Sequence, residues 1–80
     1  KSKGVYSLQT GAFSIRENAE SQKIDLTIAG FNARITKLYR NNKVLYAVQI
    51  GRYKRKDDAQ KIGSQIKRKL DLNTIVVTNN

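Results

Sequence analysis

Apolar and polar residues alternate with a period of two over Tyr6, Leu8 and Thr10 against Ser7 and Gln9. The same pattern returns over Tyr46, Val48 and Ile50 against Ala47 and Gln49. Such alternation predicts half-buried strands. Each run stops at a glycine, Gly11 and Gly51, where the chain is expected to turn tightly or approach a neighbour closely. The two runs are offset by forty residues, and the match extends to Arg16 with Lys56, Glu17 with Asp57, Ala19 with Ala59 and Leu26 with Ile66. A repeat at fixed spacing implies one supersecondary unit used twice. Each unit reads strand, helix, strand.

In chain order, 1–4 is a polar lead and 5–80 a single domain. The first strand is expected over Val5–Thr10. Ser14-Ile15-Arg16-Glu17 has the spacing of a capping box. It opens a helix that runs to about Ala29 and ends at Gly30, a left-handed cap. Ile15, Ala19 and Leu26 share a stripe of that helix, with Gln22 at its edge. Ile24 and Ile28 fall on the opposite side, either as two scattered exposed residues or as a contact for a partner. Two residues make a small patch, which favours the first reading.

Phe31–Arg40 and Val44–Ile50 form the second and third strands, joined at Asn41-Asn42, because asparagine tolerates positive φ. A two-residue turn there sets Tyr39 opposite Val44, Leu38 opposite Leu45, Thr36 opposite Ala47, Ile35 opposite Val48 and Arg34 opposite Gln49. Ile35, Val48, Tyr39 and Val44 then face the helices. Arg34, Gln49, Thr36, Ala47, Leu38 and Leu45 face away. A slip of one residue would invert every assignment. The second helix spans Lys56–Leu70, with Ala59, Ile62, Ile66 and Leu70 in one arc. Asp57 and Asp58 in its first turn and Lys67, Arg68 and Lys69 in its last all suit the helix dipole. Ile75–Thr78 is the last strand. The fold class is α+β: a ferredoxin-like βαββαβ arrangement with a four-stranded antiparallel-type sheet, two helices on one face and one open face.

Composition narrows the chemistry. Cysteine and histidine are absent from the 80 residues, which removes disulfides, thiolate metal sites and the commonest general base. The six carboxylates form no pair in an apolar setting. No enzymatic activity, metal or cofactor is expected. The net charge of +10 attracts polyanions without choosing among nucleic acid, anionic lipid and acidic wall polymer. No apolar run can span a bilayer, so a membrane is expected only through a tether outside these residues.

The run Leu8-Gln9-Thr10-Gly11-Ala12-Phe13, the Glu17-Asn18-Ala19 helix start, Gly30-Phe31 and the second run Val48–Tyr53 together resemble the SPOR domain. That family comprises sporulation-related repeats that bind septal peptidoglycan, and the resemblance covers nearly the whole chain. It implies a monomeric module of the bacterial cell envelope, in a larger exported or membrane-anchored protein. Its partner would be peptidoglycan glycan strands stripped of stem peptides at the division septum. In the family the first of the repeated glutamines contributes to glycan binding, and the resemblance carries that role onto Gln9. Gln49 is its counterpart in the second repeat.

The candidate site is the open face: Ser7, Gln9, Ala12, Arg34, Thr36, Leu45, Ala47 and Gln49. Amides suit sugar hydroxyls, and Arg34 can hold a carboxylate in a bidentate pair. Ala12 stands where the family often has serine, so a hydroxyl contact from that position is lost. Leu45 stands where it often has an aromatic ring, so either the glycan is gripped less tightly or Tyr39, Tyr53 or Phe13 supplies a ring at the rim. Arg52, Lys54 and Arg55 are auxiliary basic residues; as a solvated cluster they would add attraction without selectivity. Two alternatives remain: a protein-interaction module using Ile24 and Ile28, and an RNA-binding domain of the same βαββαβ order. RNA binding requires rings on the open face of the first and third strands. Parity instead turns Tyr6 and Tyr46 to the core, so no nucleic acid is expected.

Overall fold

The computed structural model describes residues 6–78. The elements follow the order β1 (Tyr6–Phe13), α1 (Arg16–Ile28), β2 (Ala33–Arg40), β3 (Lys43–Tyr53), α2 (Lys56–Leu70) and β4 (Ile75–Thr78). They form one antiparallel sheet in the order β2-β3-β1-β4, so the two repeated strands lie at its centre. The expected lead at 1–4, and Val5 as the start of β1, lie outside the described residues.

The hairpin between β2 and β3 has the expected register throughout, from Arg40 opposite Lys43 to Ala33 opposite Ile50. Asn41 and Asn42 have φ of 51° and 63°, and two successive positive values match the right-handed twist of the flanking strands. Gly30 also behaves as expected. At φ 99° its amide donates to the Thr27 carbonyl (3.0 Å), and the Phe31 amide donates to that of Leu26 (2.9 Å). These two bonds make the Schellman closure of α1.

The capping box does not form. Ile15 is the N-cap of α1 and no side chain caps it; its carbonyl receives the first amides, from Asn18 and Ala19. Ser14 therefore lies one position too early, and Ile15 is exposed instead of joining the buried stripe. Tyr39 and Val44 have the parity of the helix side, yet Tyr39 is 74% exposed. Neither belongs to the core or packs against it.

Both central strands run through their glycines instead of ending there. Gln9 pairs with Gln49 but Gly11 with Val48, which leaves Thr10 as the extra residue of a bulge. On the other side Leu8 pairs with Ile50 and Tyr6 with Tyr53, so β3 bulges around Gly51, whose φ is 69°. A Cβ on Gly51 would collide with the Tyr53 ring, and one on Gly11 would lie 3.1 Å from the Phe13 ring. The repeated Gly-x-aromatic spacing thus lets a ring fold back over the bare backbone two residues earlier.

The core joins Leu8, Ala19, Leu26, Val48, Ile50, Ala59 and Ile66 between the sheet and the helices. Gly63 brings α2 close to the segment before β4: a Cβ there would lie 2.7 Å from Thr74 Oγ1. Alanine gains about 0.5–1 kcal/mol over glycine in a helix, whereas overpacking costs about 1–3 kcal/mol. Gly63→Ala is therefore expected to destabilise the domain by about 1 kcal/mol net in urea melts. A variant more stable than the parent would show that Thr74 gives way.

Candidate functional site

Residues directly opposite in antiparallel strands share a face, so the register lays out the uncovered side of the sheet. One row crosses all four strands: Arg34, Gln49, Gln9 and Ile75. A neighbouring row holds Thr36, Ala47 and Ala12, and beyond it Leu38 faces Leu45. On the other side of the first row, Ser7 faces Val77. The bulge at Thr10 is what returns Ala12 to this face. Strict alternation from Gln9 would have turned it toward the helices, where Thr10 reaches Gln22 Oε1 on α1 at 2.5 Å.

Side-chain hydrogen bonds stitch this surface together. Thr36 Oγ1 donates to Gln49 Oε1 (3.5 Å), and Gln49 Nε2 donates to Gln9 Oε1 (3.3 Å). Gln49 is only 8% exposed, while Gln9 is half-buried. Among the described residues the Gln9 amide nitrogen donates to no acceptor, so it is the end of the ladder that a ligand can use.

Arg34 sits in a prepared cradle. Its Nη1 donates to the Gly51 carbonyl (3.0 Å) and its Nη2 to Ser7 Oγ (2.8 Å), while Ser7 Oγ donates to the same carbonyl (2.7 Å). Two of the five guanidinium N–H groups are thereby spent on holding the side chain, and the rest remain for a ligand. Partial burial and then the neighbouring Arg52 hold the Arg34 pKa below its ordinary value, with the Tyr53 phenol opposing them. Burial in turn raises the Tyr53 pKa, offset by Arg34. Among the described residues no carboxylate pairs with Arg34. A positive charge that is partly desolvated and uncompensated gains from an incoming anion.

Ser7 and Ala47 have the parity of this face but are fully buried, so they support it from beneath and offer a ligand no surface. Gln9, Arg34, Thr36 and Leu45 are partly accessible and Ala12 is exposed. Arg52, Lys54 and Arg55 are exposed at the end of β3 and the turn that follows. Arg55 lies 4.0 Å from Asp57, and of these three basic residues Arg52 is the one that acts electrostatically on Arg34. Ile24 and Ile28 lie on the outer side of α1 beside Glu20, Lys23 and Thr27, away from the open face.

Three participants escaped the sequence reading: Ile75, Val77 and the Gly51 carbonyl. Ile75 is 59% exposed next to Gln9. The unbroken apolar run Ile75-Val76-Val77 carried a signal, since consecutive apolar residues in a strand occupy both faces whatever the register. The open face is therefore polar in its middle and apolar toward two corners, Leu38 with Leu45 and Ile75 with Val77, and the exposed pair Arg40 and Lys43 lies beyond the first at the hairpin end. Among the described residues no group of His, Cys, Asp and Glu is placed to hold a metal ion, and no helix is long and apolar enough to cross a membrane.

Comparison with known proteins places this layout in context. A family model described as "SPOR domain" matches residues 2–78. The crystal structure of the RlpA SPOR domain from Pseudomonas aeruginosa is 25% identical, with a TM-score of 0.76 over 90% of this chain and 96% of that one. The solution structure of the peptidoglycan binding domain of the B. subtilis cell wall lytic enzyme CwlC is 31% identical. Its TM-score is 0.78 over 100% of this chain and 95% of that one. No curated protein matches the chain.

Proposed function

The chain belongs to the SPOR domain family, and from that premise we propose that it is a non-catalytic cell-wall-binding module that grips peptidoglycan glycan strands with its open sheet face. The observation that carries this reading is the row Arg34–Gln49–Gln9, solvent-facing at both ends and flanked by two apolar corners. A sugar ring presents apolar C–H faces and polar hydroxyl edges. Leu38 with Leu45 and Ile75 with Val77 suit the first, and the amide ladder suits the second. The 31%-identical peptidoglycan binding domain supports the same partner.

The preferred glycan is one stripped of its stem peptides, as at the division septum. Amidase cleavage leaves a free lactyl carboxylate on each muramic acid, and Arg34, held by the Gly51 carbonyl and Ser7 Oγ, can receive such a group. The site works in the bacterial envelope, within a larger exported or membrane-anchored protein, and the domain acts as a monomer. RNA is disfavoured as a partner because Tyr6 and Tyr46 pack against the core, away from the open face.

Sedimentation with insoluble sacculi before and after amidase treatment tests the reading. Amidase-treated sacculi are expected to retain more protein at equal concentration. Gln9→Ala is expected to weaken that binding by about 0.5–1.5 kcal/mol, as for a neutral hydrogen bond. Equal retention by treated and untreated sacculi, or tighter binding to single-stranded RNA, would remove the basis for the stripped-glycan assignment.

A further inference from the structure

We propose that the groove between α2 and β4 is a second binding site, distinct from the Arg34–Gln49–Gln9 row, for a linear polyol phosphate, a polyanion whose charges are phosphodiester groups. The groove encloses about 710 Å³ with Leu8 and Gly63 among its lining residues. Lys56, Lys67 and Arg68 supply cations, and Gln60, Ser64 and Thr74 supply amide and hydroxyl groups. No carboxylate lines it among the described residues. Lys56 opens α2 and Lys67 stands in its last turn, eleven residues further on. At 1.5 Å per residue the cations are roughly 16 Å apart along the axis, which suits an extended chain better than a single ion.

The internal repeat serves as a control against the reading of a merely solvated helix. The equivalent positions on α1 are Arg16, Thr27 and Ile28, so the cation at the first is kept and those at the other two are missing. That helix sets Glu17, Glu20 and Asp25 against Arg16 and Lys23. The same supersecondary unit therefore folds without a basic groove in one copy and with one in the other. Lys67 is steadied by Asp71 at 2.8 Å, whereas Lys56 and Arg68 have no ion-pair partner among the described residues.

The choice of phosphodiester follows from the cations. Two of the three are ammonium groups, compact point charges that suit tetrahedral oxyanions and lack the planar fork matched to a carboxylate. The single fixed arginine of the open face has the opposite bias. Hydroxyl and amide groups between the cations complement a polyol backbone linking the phosphates. The groove lies on the helix side of the sheet and meets the open face at Ile75, which lines it too, so the groove's cations and Arg34 stand on opposite sides of the sheet.

Titration of the chain with polyglycerol phosphate of defined length tests this directly, beside charge-matched polygalacturonate and a charge-matched single-stranded oligonucleotide. Polyglycerol phosphate is expected to bind most tightly. Lys56→Gln with Arg68→Gln should weaken it about tenfold at physiological salt, because two exposed contacts are lost together. Lys37→Gln with Arg40→Gln removes the same charge from the opposite edge strand and is expected to cost less than about threefold. Arg34→Ala should leave this binding unchanged, and the groove variant should leave binding to phosphate-free sacculi unchanged, which separates this proposal from the open-face reading. Equal losses in the two paired variants would overturn it, as would preference for the carboxylate polymer or the oligonucleotide, or no binding to polyglycerol phosphate.

Discussion

Replacing Arg34 by alanine is expected to weaken binding to amidase-treated sacculi by about 1.5–3 kcal/mol, roughly ten- to a hundredfold in Kd. Its guanidinium is already aimed by the Gly51 carbonyl and Ser7 Oγ, so little rotamer entropy is lost when an anion arrives. It is also partly desolvated and has no carboxylate partner among the described residues. Arg34→Lys provides the sharper comparison. It keeps the charge, but an ammonium cannot reproduce the fork that spans two protein acceptors and still meets a carboxylate, so it should recover only part of the loss. Sedimentation isotherms for the three proteins, with thermal melts in parallel, check this. Unchanged sacculus binding by a folded Arg34→Ala protein would reduce Arg34 to a fastener of the β3 bulge.

Leu26→Ala and Ile66→Ala are each expected to destabilise the domain by about 2–5 kcal/mol. The two residues are repeat equivalents, one on each helix, and both are fully buried against the sheet. Truncation leaves a cavity that rigid neighbours fill only in part. Leu26 also supplies the carbonyl that accepts the Phe31 amide in the closure of α1. Small domains have about 5–15 kcal/mol of total stability, so either change removes a large share of it. Urea melts measure the loss as a lower midpoint. Midpoints equal to the parent's would mean that the helix faces have been misassigned.

Much of the open face was legible because its signals are local. Asn41-Asn42 can adopt two positive φ values, and that capacity alone set the β2–β3 register and put Arg34, Thr36, Leu38, Leu45, Ala47 and Gln49 on one side. Gly30 ended α1 for the same kind of reason. The capping box failed because its spacing is a weak local preference. The first turn starts from the Ile15 carbonyl, one residue beyond Ser14.

What the sequence determined by itself was the repeat, the order of elements, the helix stripes through Leu26 and Ile66, and the hairpin parity. Each of these depends on residues a few positions apart, or on direct similarity between the two copies. The tertiary structure alone decided the bulges at Thr10 and Gly51, which depend on how two distant strands fit side by side. It also decided that Ile75 lies beside Gln9, since β4 pairs with a strand more than sixty residues earlier. The locking of Arg34 follows from the β3 bulge, because only there does the Gly51 carbonyl meet both Ser7 and the guanidinium. Periodicity carries the face a residue occupies. Whether that residue is free to touch a ligand depends on what non-local pairing sets beside it, as buried Ser7 and exposed Ile75 show from opposite directions.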